Sequence, residues 1–114
     1  MNRQKPVVGV IGSAHLAEGK FAAQRVGERN LRAVAGAAGA LPLMFAGTPE
    51  ITEIGALLET VDGILLTGAR ANVHPSRFGH DAHPSSEPYD EARDALAIDL
   101  IKACVARGVP LFGI

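Results

Sequence analysis

The chain has 114 residues, 47% of them hydrophobic, and a formal net charge of −1. This length suits one domain, and the balanced charge argues against nucleic acid or an anionic membrane as a partner, because both usually require a basic excess. No apolar segment is long enough to span a bilayer, and a single cysteine, Cys104, forms no internal disulfide, so we expect a cytoplasmic protein.

Four short apolar runs predict buried parallel strands, because they do not alternate with polar residues. They are residues 7–11, 41–45, 64–67 and 109–114. The last run, VPLFGI, is expected to be buried on both faces of the sheet. Strands of this kind that alternate with helices indicate βαβ units and a parallel sheet covered on both sides.

Apolar residues at helical spacing predict the helices between these strands. The first set is Leu31, Val34, Ala35 and Ala38, closed by Gly39; the second, after Pro49, is Ile51, Ile54, Leu57 and Leu58; the third is Ala97, Leu100, Ile101 and Cys104, stopped by Gly108 and Pro110.

Two segments depart from this alternation. Residues 15–26, HLAEGKFAAQRV, form a long connection to which the pattern assigns no structure. Residues 68–88, GARANVHPSRFGHDAHPSSEP, leave the carboxyl end of a predicted strand, where open α/β sheets bind ligands. Loops of this length are uncommon in compact domains and are often functional.

Few residues carry a recognisable chemical motif. VGVIGSA lacks the G-x-G-x-x-G phosphate pattern and indicates a tight turn after the first strand. His74, His80 and His83 surround Asp81, but their spacing matches no zinc signature, so we predict a polar loop and no metal site. Cys104 lies on the apolar face of a helix, which favours a buried structural thiol over a nucleophile.

The segment YDEARD opens the last predicted helix. Asp90 and Glu91 suit the first turn because acidic side chains there interact favourably with the helix dipole. Asp90, Arg93 and Asp94 can also form local ion pairs at this spacing.

Three stretches of the chain carry a family resemblance. They are VDGILLTGARANVHPSRFG, YDEARDALAIDLIKACVARGVPLFGI and AVAGAAGALPLMF. Together they resemble the class I glutamine amidotransferase-like hydrolases, and within them the γ-glutamyl-γ-aminobutyrate hydrolase branch, peptidase family C26. The sequence departs from the family pattern at Ala69, where many relatives have a second glycine, and at Asn30, where tyrosine is frequent.

The resemblance implies a three-layer α/β/α sandwich with a mostly parallel sheet, the flavodoxin-like class I glutamine amidotransferase fold. Residues 1–114 would be the N-terminal part of this single domain, ending immediately before the family's catalytic cysteine, with the histidine and glutamate of the triad further on. The implied reaction is hydrolysis of a γ-glutamyl amide through a cysteine thioester, with no cofactor and no metal. The implied partner is a small γ-glutamyl substrate, with no nucleic acid and no membrane, and a homo-oligomer is one option.

The resemblance also implies site residues. The Gly68 backbone N–H is expected to donate to the oxyanion, and the substrate contacts are expected at Ala69, Arg70, Asn72, His74 and Phe78, with His80 as a further pocket residue and no role assigned to His83. Two other functions stay open: a non-catalytic α/β ligand-binding or signalling module, and a glutaminase subunit that supplies ammonia to a partner synthetase. The presence of a cysteine after Ile114 distinguishes the hydrolase from the first alternative.

Overall fold

The computed structural model describes residues 4–114. In chain order the elements are β1 Val7–Ile11, β2 Ser13–Ala17, β3 Phe21–Arg25, α1 Glu28–Arg32, β4 Leu41–Phe45, α2 Ile54–Thr60, β5 Gly63–Leu66, α3 Glu91–Arg107 and β6 Leu111–Gly113. A π-helical turn, Ala33–Ala37, follows α1, and two 3₁₀ turns, Pro75–Phe78 and Pro84–Ser86, lie between β5 and α3. Within this part of the chain, no helix combines the length and apolar character needed to cross a membrane.

Four of the strands form one parallel sheet in the order β4-β1-β5-β6. Val8 of β1 lies between Pro42 of β4 and Gly63 of β5. The predicted α/β fold with a mostly parallel sheet is therefore confirmed. All four carboxyl ends meet at one edge, because the strands run in the same direction.

Alternate residues of the central strands pack on opposite faces of the sheet, as the two-residue strand period requires. Val7 and Ile11 belong to a buried cluster with residues of α2 and α3, and Val10 belongs to a second cluster with Val34 and Leu65. The helices α2 and α3 thus cover one face, and the segment around Val34 covers part of the other. This arrangement forms the three layers.

The longest helix, α3, has the ends that its sequence predicts. The carboxylate of Asp90 accepts the backbone N–H of Arg93 at 3.1 Å and caps the first turn, and Gly108 ends the helix in the left-handed region at φ 69°. Leu100 and Cys104 are almost fully buried, at 0% and 1% exposure. The predicted apolar face of this helix is confirmed at Leu100 and Cys104, which lie in the core with Leu96, and was wrong at Ile101, which is 39% exposed.

Cys104→Ala is expected to lower the free energy of unfolding by about 1 kcal/mol, because it leaves only a small cavity. Burial raises the pKa of the Cys104 thiol, so the native protein should react with a thiol reagent far more slowly than the denatured protein. Labelling kinetics with and without denaturant, together with a denaturant melt of the variant, provide the measurement. Rapid labelling of the folded protein at Cys104 would contradict a buried structural role.

The prediction that residues 109–114 are buried on both faces was wrong. β6 covers only Leu111–Gly113, and the side chains of Phe112 and Ile114 are 68% and 70% exposed. The physical reason is that β6 lies at the edge of the described sheet, beside β5.

The predicted start of the second helix was also wrong. α2 begins at Ile54, and Ile51 lies outside it with 72% exposure. The Glu53 carboxylate accepts the backbone N–H groups of Gly55 and Ala56, each at 2.9 Å, and this cap fixes the helix start after Ile51.

The helix predicted around Leu31 is α-helical in its first part and π-helical in its second. The α-helical part ends at Arg32, and the following turn is wider, because the Ala38 N–H donates to the Ala33 carbonyl five residues earlier. Gly39 then leaves the turn at φ 61°, in agreement with its predicted role as the stop.

Most of residues 15–26, which had no assigned structure, lies in an antiparallel hairpin. His15 of β2 pairs with Ala23 of β3, and the turn between the strands has positive φ at Glu18 and Gly19, 53° and 68°. Glycine takes this conformation without strain, so Glu18-Gly19 is the local signal of the turn.

Candidate functional site

The order in which the chain adds strands to the sheet reverses between β1 and β5. The chain passes from β1 to β4 on one side and then returns to β5 on the other side of β1. Connections leave these two strands in opposite directions, and the gap between them at the carboxyl edge is where open α/β sheets bind ligands. The segments that follow β1 and β5 are therefore the first place to look for a site.

A cleft of about 460 Å³ lies at this position. Its lining combines the hairpin, the start of α1 and the ends of β5 and β6: Ser13, Arg25, Gly27, Arg29, Asn30, Thr67, Gly68, Ala69, Arg70 and Ile114. Within residues 4–114, the lining includes three arginines and no acidic side chain. Two other grooves, of about 600 and 640 Å³, have mainly apolar linings. The cleft at the carboxyl edge is thus suited to an anionic ligand.

Gly68 lies two residues after the end of β5, beside the end of β6. The Ile114 N–H donates to the Leu66 carbonyl at 2.9 Å and continues the pairing of the two strands to this point. A Cβ atom on Gly68 would lie 3.8 Å from the Ile114 carbonyl oxygen, an ordinary contact, and Gly68 does not have positive φ. Among residues 4–114, neither packing nor backbone angle requires glycine here, so the open space beside its backbone can admit another group.

The first turn of α3 connects three segments at the carboxyl edge. One Asp90 oxygen accepts the Ala14 N–H at 2.9 Å, and Asp94 accepts the His74 N–H at 2.8 Å. Between them, Arg93 Nη2 donates to the Thr67 carbonyl oxygen at 2.8 Å. Through these contacts the helix end holds the hairpin, the exit of β5 and the following loop in fixed relative positions.

Arg93 keeps its charge in this environment. Burial lowers the pKa of the guanidinium, and the negative charges of Asp90 and Asp94 raise it. Arginine starts from such a high pKa that it stays protonated at neutral pH.

Gly68, Ala69 and Arg70, three of the residues predicted for the site, lie together in the cleft. Asn72 is in the following loop, which it anchors at two points. Its backbone N–H donates to the Pro88 carbonyl at 2.9 Å, and its side-chain amide donates to the Ser86 carbonyl at 2.8 Å.

The other predicted residues occupy the same loop and are not among those that line the cleft in residues 4–114. The His74 ring is 4.5 Å from the ring of Tyr89, and its Nδ1 lies 2.8 Å from Ser76 Oγ. Phe78 is 58% exposed and packs against His80 at a ring distance of 5.2 Å. The roles of Asn72, His74 and Phe78 as substrate contacts stay predictions.

The three loop histidines lie in separate local environments. His74 and His83 each cap a 3₁₀ turn through Nδ1, and His80 contacts Phe78. Within residues 4–114, no group of three or more His, Cys, Asp or Glu side chains is placed to hold a metal ion.

Several residues of the cleft were not identified from the sequence. Arg25 and Arg29 reach it because the hairpin returns the chain to the carboxyl edge just before α1. The turn signal Glu18-Gly19 could have indicated that hairpin. Arg93 was assigned only local interactions, and its contact with Thr67 joins residues 26 positions apart.

Comparison with known proteins identifies clear relatives. The family model for Peptidase C26 matches residues 6–114. The γ-glutamyl-γ-aminobutyrate hydrolase of Escherichia coli O157:H7 is 36% identical over 113 residues, which cover 96% of this chain and 42% of that protein. Hydrolases of the same name from Escherichia coli K12 and Shigella sonnei are both 35% identical with the same coverage. The chain thus spans less than half the length of these curated relatives.

Proposed function

The chain belongs to the peptidase C26 family, and on that premise we propose that it forms the N-terminal part of an enzyme that hydrolyses γ-glutamyl amides such as γ-glutamyl-γ-aminobutyrate. The observation that carries the proposal is the arginine-lined cleft at the carboxyl edge, in which Gly68 and the end of β6 meet. The names of the relatives support the same substrate class. The proposal places the enzyme in the cytoplasm.

The proposed mechanism uses a cysteine nucleophile, which we expect directly after Ile114 because of the family resemblance. Its thiolate attacks the γ-carbonyl carbon, and the oxyanion that forms accepts a hydrogen bond from the Gly68 N–H. A histidine, oriented by a glutamate, gives a proton to the departing amine, and a γ-glutamyl thioester remains. Water, deprotonated by the same histidine, then attacks the thioester carbonyl carbon, which releases glutamate and restores the thiolate and the protonated histidine.

The charge of the cleft suits the proposed substrate. γ-Glutamyl-γ-aminobutyrate carries one carboxylate on the glutamyl part and another on the leaving amine. Arg25, Arg29 and Arg70 can offer these groups charge-assisted hydrogen bonds, which are stronger than neutral ones. A leaving amine with a positive charge would instead be repelled by the same side chains.

The test compares two substrates that differ only in the second carboxylate. With full-length protein, kcat/KM for γ-glutamyl-γ-aminobutyrate should exceed that for γ-glutamyl-n-butylamide by about 10- to 100-fold, the effect of one hydrogen bond to a charged group. Glutamate release measures both rates. Arg25→Gln, Arg29→Gln and Arg70→Gln, made singly, should identify the arginine that gives the preference by reducing it.

Arg32→Gln is the matched control. Arg32 bonds Glu28 at 3.1 Å and is not among the residues that line the cleft in the described part of the chain, so the preference should stay unchanged. Failure to release glutamate from either amide would overturn the hydrolase proposal. Release of ammonia from glutamine only with an added synthetase would favour the glutaminase subunit, and binding without turnover would favour the non-catalytic module.

A further inference from the structure

The peptide unit between Thr67 and Gly68 presents two opposite polar groups. Its carbonyl belongs to Thr67 and its N–H to Gly68, and in a trans peptide these groups point in opposite directions. The Thr67–Gly68 peptide bond is trans. Arg93 holds the carbonyl side at 2.8 Å. The N–H side is therefore directed away from α3, and Gly68 lines the cleft.

We propose that Arg93 is a positioning residue that fixes the orientation of the Thr67–Gly68 peptide and thereby aims the Gly68 N–H at the substrate carbonyl. This inference rests on the proposed function, because it assigns Arg93 to the same oxyanion site. Arg93 itself acts through the backbone and touches no reacting atom. A rotation of this peptide would turn the N–H away and present a carbonyl oxygen, which would repel the developing negative charge.

If Arg93 served only to pack against its neighbours, its buried guanidinium would be unfavourable. Its Nε is buried and has no hydrogen-bond partner among residues 4–114, and an unpaired buried donor lowers stability. Apolar residues often replace buried charged groups without loss of stability. The guanidinium is thus better explained by the bond that it makes to Thr67 than by packing alone.

Two features keep the guanidinium in place. A Cβ atom on Gly47 would lie 3.3 Å from Arg93 Cγ, so the Arg93 stem passes close to the backbone at the exit of β4. Asp90 and Asp94 lie on either side of Arg93 in sequence and are fixed by their own bonds to Ala14 and His74. Rigid neighbours therefore hold the Arg93 side chain in place. Accurate positioning of a catalytic group requires such support.

The test uses Arg93→Met and Arg93→Lys in the full-length enzyme, with kcat, KM and a thermal melt measured for each. Arg93→Met should lower kcat by about 10- to 100-fold, as small misplacements of catalytic groups do, while KM changes less than threefold. Arg93→Lys should recover part of kcat, because an ammonium can donate to the same carbonyl. Arg107→Met, at the exposed end of the same helix, should leave kcat unchanged.

A nuclear magnetic resonance measurement separates this inference from the proposed function. If the wild type hydrolyses no γ-glutamyl amide, the proposed function fails, and the ¹H–¹⁵N shift of Gly68 still reports whether Arg93→Met, which removes the bond to the Thr67 carbonyl, reorients the peptide. An unchanged Gly68 signal, or kcat within twofold of wild type in Arg93→Met, would overturn the positioning role. Should both variants fail to fold, Arg93 is structural and the inference also falls.

Discussion

Gly68→Val should reduce kcat for a γ-glutamyl amide by about 10²–10³-fold, the typical effect of losing one oxyanion-hole donor. A Cβ atom has room at this position, 3.8 Å from the Ile114 carbonyl oxygen, so the described fold does not oppose the substitution. The two γ-methyl groups of valine would crowd the substrate carbonyl and restrict the backbone angles that aim the N–H. KM should change less, because in the proposed complex the arginines of the cleft would bind the rest of the substrate.

Gly68→Ala provides a graded control, since its single methyl group restricts the backbone less than valine. Its kcat should lie between those of the wild type and Gly68→Val, and the thermal melts of both variants should stay close to that of the wild type. If kcat of Gly68→Val stays near the wild-type value while the melting temperature falls by many degrees, Gly68 is a packing glycine. The oxyanion role would then be lost.

The central sheet and α3 could be predicted because local and tertiary preferences agree there. Val7–Ile11 is a continuous apolar run, and it lies between two other strands with both faces covered. α3 has a capping aspartate, a periodic apolar face and a terminal glycine, and each signal lies within a few residues of the structure that it specifies. The strand order β4-β1-β5-β6, by contrast, has no signal in the apolar pattern and was not predicted.

Elements at the edge of the fold were less predictable. Their side chains are partly exposed, so burial does not determine which positions are apolar. Apolar side chains appear in the buried run of β1 and also at exposed positions such as Phe21 and Phe112. A pattern of apolar residues therefore could not distinguish the hairpin from a loop, or an edge strand from a central one. The wide turn at Ala33–Ala37 had no signal beyond ordinary helical spacing.

The candidate site could be predicted only where it follows directly from a strand end. Gly68, Ala69 and Arg70 leave the carboxyl end of β5, so their place in the cleft follows from sheet geometry. Arg25 depends on the path of the hairpin, and the Arg93–Thr67 contact depends on how α3 docks against the sheet. Both are tertiary facts that no short stretch of sequence contains.

Gly47→Ala should produce the largest loss of stability, because the backbones after β1 and β4 approach closely at this residue. The added Cβ would lie far inside contact distance of the Gly12 carbonyl oxygen. Gly12 cannot easily retreat, since its N–H donates to the Phe45 carbonyl at 2.7 Å, and Gly47 is itself held by Gln24 at 2.9 Å. We expect a loss of about 2–3 kcal/mol in the free energy of unfolding, at the upper end for overpacked sites.

Gly36→Ala is the matched control for this substitution. A Cβ atom there meets no described atom within 4 Å, and Gly36 does not have positive φ, so alanine should be neutral or stabilise by about 0.5–1 kcal/mol. Denaturant midpoints of the two variants in the full-length protein provide the comparison. Because the Gly47 Cβ would also press on Arg93 Cγ at 3.3 Å, Gly47→Ala should lower kcat together with stability. Equal midpoints for the two variants would mean that the contact between Gly12 and Gly47 relaxes easily, and the rigid support inferred for Arg93 would be wrong.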